Sequence, residues 1–154
     1  MKNLITSIIL TAGIFLLTFN PAWAEDDPQV KKLKSLCEEG NGDACFHIGE
    51  RYRTIELDNK TATGFFLKGC DGGHITACTH AGILIQMTGK QYSPEWKQAA
   101  QLYEKGCDQK SDKACFNLGM LKYKEGRQKA ATKYWTLACD LGNAIACQNL
   151  QLLK

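Results

Sequence analysis

The sequence has little net charge, few histidines and none of the short motifs that usually mark catalysis. Its formal net charge is +3 over 154 residues. That is too balanced for capture of nucleic acid or of an anionic membrane surface. Only three histidines occur, His47, His74 and His80, too few to build a zinc hydrolase. Beyond residue 24 the serines are Ser35, Ser93 and Ser111, and the third residue after each is Glu38, Trp96 or Ala114. None supplies the S-x-x-K pair of acyl-transfer enzymes. G-x-S-x-G and phosphate-cradling glycine motifs are absent as well. So are C-x-x-C, which serves thiol exchange, and C-x-x-C-H, which attaches haem. No segment alternates like a strand, and no apolar run after residue 24 is long enough to span a bilayer.

What is present begins with a leader. Lys2 precedes an apolar run from Leu4 to Phe19, Pro21 breaks it, and Ala22-Trp23-Ala24 offers small residues for cleavage. This is the layout of a secretory signal peptide over residues 1–24, cut after Ala24. An uncleaved anchor is the competing reading, but the run is short and lacks a charged stop. With the leader removed, no stable membrane anchor remains. Lys2 is the only charged residue before Glu25, so residues 25–154 carry +2. They suffice for one compact domain, destined for the periplasm or the exterior.

All eight cysteines lie in that domain. An even count in an exported chain reads as disulfides. Eight cysteines permit 105 pairings in principle, and here the spacing narrows them. Cys37/Cys45, Cys70/Cys78, Cys107/Cys115 and Cys139/Cys147 each form C-x7-C, and their first members are 33, 37 and 32 residues apart. Such a period is the signature of a repeat architecture. Zinc sites place their cysteines two to four residues apart, so the pairs do not suggest metal.

The surroundings repeat too. Ala62, Ala99 and Ala131 stand eight residues before the first cysteine of the last three units, and Phe66, Tyr103 and Trp135 stand four before it. That spacing places alanine, aromatic and cysteine on one helical face. The first unit has Gln29 and Leu33 instead. After the cysteine come Gly40, Gly73 or Gly142, with Lys110 as the exception, at the site of a left-handed cap. Asn41, Ser111 and Asn143 then suit helix N-caps, whereas His74 suits one poorly. Gly49, Gly82 and Gly119 recur inside the second helix of a unit, where glycine costs about 1 kcal/mol against alanine. Recurrence there predicts a close approach by another helix. Gln151 replaces the glycine in the last unit, as a terminal cap would. Ser93-Pro94-Glu95 marks a helix start, and the stretch from Gly89 to Ser93 is longer than its counterparts. Eight helices follow, at 28–38, 43–55, 59–71, 75–87, 94–108, 112–125, 128–141 and 144–153. The fold class is all-α: a right-handed superhelix of about four hairpins, each stapled by its own C-x7-C pair. Antiparallel helices joined by a tight turn bring those cysteines to roughly 5–6 Å between Cα atoms, which suits a disulfide.

Ala44-Cys45-Phe46-His47-Ile48-Gly49-Glu50-Arg51-Tyr52 resembles the A-x-x-x-L-G-x-x-Y helix of Sel-one-like repeats, relatives of the tetratricopeptide repeat. Ala114 to Gly119 matches likewise, with Tyr123 one residue late. The stretches Gln98–Cys107 and Lys129–Trp135 resemble that family's K-A-x-x-W/Y-x-K-A helix. With C-x7-C in every unit, residues 25–154 resemble the cysteine-rich Sel-one-like proteins of Helicobacter. The resemblance implies an adaptor that presents a helical surface to a protein or peptide. It also implies an alternative, a penicillin-binding protein or weak β-lactamase acting on β-lactam or peptidoglycan-like ligands. The residues imply no metal and no cofactor.

One polar column stands out. His47, His80, Asn117 and Asn149 each follow the second cysteine of their unit by two residues. They are either ligand contacts along a groove or members of a repeated structural hydrogen bond, since both residue types donate and accept. Phe46 and Phe116, one residue earlier, either meet a partner or pack on the adjacent unit.

Overall fold

The structure is a computed structural model that describes residues 27–152. The leader and its cleavage site at Ala24 lie outside the described residues. Within them the chain forms eight α-helices and no strand. They are α1 (Pro28–Glu38), α2 (Gly42–Thr54), α3 (Asn59–Asp71), α4 (Ile75–Thr88), α5 (Pro94–Asp108), α6 (Asp112–Lys124), α7 (Gln128–Asp140) and α8 (Ala144–Leu152).

Each C-x7-C turn is built the same way. The odd helix ends on a residue with positive φ: Gly40, Gly73 and Gly142 at 92°, 87° and 97°, and Lys110 at 64°. That conformation lets the N–H of Asn41, His74, Ser111 and Asn143 reach back to the carbonyls of Leu36, Gly69, Gly106 and Ala138, satisfying a helix end that would otherwise be orphaned. The side chain of the same residue then caps the next helix, taking the N–H of Ala44, Ala77, Ala114 or Ala146. His74 corrects the expectation of a poor cap. Its Nδ1 accepts from Ala77 N–H at 3.1 Å, because a neutral imidazole nitrogen can stand in for an asparagine oxygen.

The turn brings the cysteines together. Disulfides join Cys37–Cys45, Cys70–Cys78, Cys107–Cys115 and Cys139–Cys147, with Cα separations of 4.7, 4.6, 4.6 and 4.9 Å. These are closer than the expected 5–6 Å. In the second and third turns glycine makes room for the approach: a Cβ on Gly69 would meet Ala77 Cβ at 2.9 Å, and one on Gly106 would meet Ala114 Cβ at 2.8 Å.

The other junctions have no covalent link and are held by packing, aided by hydrogen bonds from Tyr103 to Gln86 and from Trp135 to the Phe116 carbonyl. The most extensive helix contacts join α2 to α3, α4 to α5 and α6 to α7, across the unstapled connections. At each, the aromatic ring of the odd helix lies on the glycine of the even one. A Cβ on Gly49 would sit 2.7 Å from Phe66, and one on Gly82 2.6 Å from Tyr103, while Gly119 is covered by Trp135. The three rings are buried. Covalent and packed junctions therefore alternate along the chain, and no helix pair depends on its own apolar face alone.

The even helices touch one another in succession, α2 to α4 and α4 to α6, to an extent that no two odd helices match. The even helices thus form the inner layer of a curved stack, as in solenoids generally.

Candidate binding groove

The polar column stands on the inner layer, one member per even helix. Its members do not converge on one point. His47, on α2, is exposed. His80, on α4, places Nδ1 2.8 Å from Glu50 Oε1 on α2. Asn149, on α8, directs Nδ2 at Met120 Sδ on α6 across 3.8 Å. Asn117, on α6, is partly buried. His80 and Asn149 thus reach the preceding even helix, but the partners differ, so the column is not one repeated hydrogen bond. Phe46 packs on the next unit. Its ring stacks on His74 at 4.1 Å and lies 5.6 Å from His80 and 5.7 Å from His47, gathering all three histidines around one phenyl group.

Glu50 is the hub of a small charged network. Arg53 donates to both its oxygens, Nη2 at 2.6 Å and Nε at 3.1 Å. Those bonds, more than the one from His80, hold the Glu50 carboxyl below its ordinary range against the opposing effect of partial burial. An ionised carboxylate only accepts, so the His80 Nδ1–H donates.

Beside the network lies a groove of about 410 Å³ lined by Arg53, Leu57, His80, Ile83, Leu84 and Met87. Its rim is apolar and open: Leu57 is 78% and Met87 71% exposed. Of the column, only His80 lines it. Leu57, Ile83, Met87, Glu50 and Arg53 were not singled out in the sequence. A usable signal was there: Ile83 and Met87 follow His80 by three and seven residues, the spacing of one helical face.

The serines stand elsewhere. Ser93 and Ser111 accept from the amides of Trp96 and Ala114 as helix caps, and Ser35 donates to Glu39. All eight cysteines are in disulfides. Among the described residues no cluster of histidine, cysteine and carboxylate is arranged to hold a metal ion.

The His74 cap makes stability depend on pH. Burial, assisted by the nearby His47 and His80 and opposed by Asp43, keeps His74 below its ordinary pKa of 6.5. The unfolded chain therefore takes up the proton more readily than the folded one. The contribution is complete above pH 6.5 and is lost as pH falls through the lower folded value. The melting temperature should drop between pH 7 and 5, and His74→Asn, which caps without titrating, should flatten that drop. Equal slopes for the two proteins would contradict the assignment.

No family model matches the sequence, and no curated relative matches it. Solved structures do match. A Sel1 repeat protein from Oxalobacter formigenes superposes with a TM-score of 0.64 at 22% identity, over 80% of this chain and 97% of that one. A protective antigen of uropathogenic Escherichia coli displaying an SLR fold gives 0.67 at 22% identity, over 79% of this chain and 27% of that one. The Helicobacter pylori cysteine rich protein B gives 0.56 at 24% identity, over 79% and 96%. The chain is a disulfide-stapled helical solenoid with the fold of Sel1 repeat proteins.

Proposed function

We propose that this protein is an exported repeat scaffold that binds a peptide or a single helix of a partner protein in the groove between α2 and α4. The observation that carries this is the exposure of Leu57, Met87 and Ile83 beside the Glu50–Arg53–His80 network. Apolar anchors next to a few fixed polar groups are the usual make-up of a binding cleft. Methionine adapts to varied partner shapes, and four hairpins give a surface suited to a short segment. Export rests on the leader, Leu4–Phe19 with cleavage after Ala24, and on four disulfides, which persist in oxidising compartments such as the periplasm or the exterior. The mature domain is then 25–154.

The alternative, a penicillin-binding protein or weak β-lactamase, needs an activated nucleophile in the groove. The three serines are engaged at helix ends instead. Two measurements test the choice. Oxidised protein screened against a peptide display library should enrich sequences with apolar residues three or four apart. A chromogenic cephalosporin should hydrolyse at its uncatalysed rate. Turnover several orders of magnitude faster, abolished by His80→Ala with the helical signal intact, would overturn the scaffold reading.

A further inference from the structure

The one irregular connection points to a second surface. The stretch Gly89–Ser93 is longer than the other links, and it is braced against the next one. Gln91 Nε2 donates to Lys124 O at 2.6 Å, and Tyr92 hydroxyl to Glu125 O at 3.4 Å. The brace holds Tyr92 at φ 67° with 61% of its surface exposed. Below it, Glu125 is nearly buried and fully engaged: Trp96 Nε1 donates to it at 2.9 Å, and Lys122 and Arg127 lie at 3.5 and 3.6 Å.

Together these groups enclose a trough of about 520 Å³ against the outer-layer helix α5, remote from the α2–α4 groove. Tyr92, Lys97, Gln101, Glu104, Lys122 and Arg127 line it. At its edge the exposed Lys124 places Nζ 5.9 Å from the centre of the Trp96 ring. Cations therefore outnumber carboxylates around the trough, although the chain as a whole is nearly balanced. Glu125 already spends its charge on two of them.

We infer that this trough is a second binding surface, for an acidic peptide segment. The size falls in the range of ordinary ligand clefts. Lys97 and Arg127 would meet carboxylates, the Tyr92 ring an apolar side chain, and Gln101 and Glu104 the backbone N–H groups of an extended chain. Glu104, together with Glu95 beside the strap, argues against a dense polyanion, whose phosphates they would repel. A peptide spaces its charges and brings donors for those carboxylates.

The test uses an acetylated, amidated pentapeptide with a glutamate at each end, a serine next to each and a central phenylalanine, titrated into oxidised protein at low salt and followed by tryptophan fluorescence and calorimetry. Saturable binding is expected, weakened by added salt and by about tenfold in Lys97→Gln/Arg127→Gln. Both side chains are exposed, so this variant should keep the helical spectrum. Ile83→Lys/Met87→Lys, which alters the inner groove, should leave this binding unchanged, so failure here is distinct from failure there. No saturable binding would overturn the proposal, as would equal binding by the Lys97/Arg127 variant. Tighter binding of heparin or of phosphatidylserine vesicles than of the peptide would also overturn it.

Discussion

Reducing all four disulfides should leave the protein largely unfolded at 37 °C. Each bond joins cysteines eight residues apart. Closing a loop of about nine residues stabilises by roughly 2–3 kcal/mol in the chain-entropy model. Four such loops total about 10 kcal/mol, comparable with the 5–15 kcal/mol that separates a whole domain from its unfolded state. The solenoid has no deeper core to fall back on, because each helix pair is buried only by its neighbours. Far-UV circular dichroism with and without reductant measures this directly. Burial also sets an order of opening. Cys70, Cys78 and Cys45 are at most 1% exposed, whereas Cys139 and Cys147 are only partly buried. Limiting reductant should therefore open Cys139–Cys147 first. A reduced protein that melts cooperatively near the oxidised midpoint would mean that packing alone holds the stack.

The next largest effect should come from Tyr103. Its ring is fully buried against Gly82, and its hydroxyl donates to Gln86 Oε1 at 2.8 Å. Burial pushes that hydroxyl well above its ordinary pKa, so it stays a donor at any physiological pH. Tyr103→Ala empties the middle unstapled junction and should cost about 3–5 kcal/mol, the range for buried aromatic residues. Tyr103→Phe loses only the hydrogen bond and should cost about 1 kcal/mol. The reciprocal change, Gly82→Ala, drives a methyl into the ring at 2.6 Å. Its overpacking cost, about 1–3 kcal/mol, should exceed the roughly 1 kcal/mol gained in helix propensity. Gly64→Ala is the control. It is also inside a helix but meets nothing within 4 Å, so it should stabilise by up to about 1 kcal/mol. Urea denaturation of the four variants reads all of these. Equal signs for Gly82→Ala and Gly64→Ala would refute the ring-on-glycine junction.

Much of this was legible in the sequence because the determinants are local. Helix ends carry their own caps within four residues, and eight helices were placed to within a residue at their ends. The recurrence of Gly49, Gly82 and Gly119 announced a close approach even though one chain cannot say which ring makes it. What escaped was set by residues about thirty apart. Nothing near His80 names Glu50 as its partner, and nothing near Gln91 names the Lys124 carbonyl. The small residues before the cysteines, Gly69 and Gly106, went unread because their meaning is a distance to Ala77 and Ala114 across the turn. Residue type alone marks His74 as a poor cap because cap statistics average over contexts, whereas here the Phe46 ring stacks on the imidazole. The larger helix interfaces fall between the stapled hairpins rather than within them. Cysteine spacing reports covalent neighbours, not the extent of burial.

The claim that the inner groove is the partner site is tested most directly by titrating a library-selected peptide into wild type and Ile83→Lys/Met87→Lys. Ile83 is 38% and Met87 71% exposed, and lysine is a good helix former, so the variant should keep its fold. Two buried anchors of this kind carry about 3 kcal/mol of binding, which predicts a Kd about a hundredfold weaker. A matching Leu137→Lys change on α7, where the exposed leucine lies outside the groove, should leave Kd unaltered. An unchanged Kd in the groove variant, with the helical signal intact, would place the partner elsewhere and contradict the account.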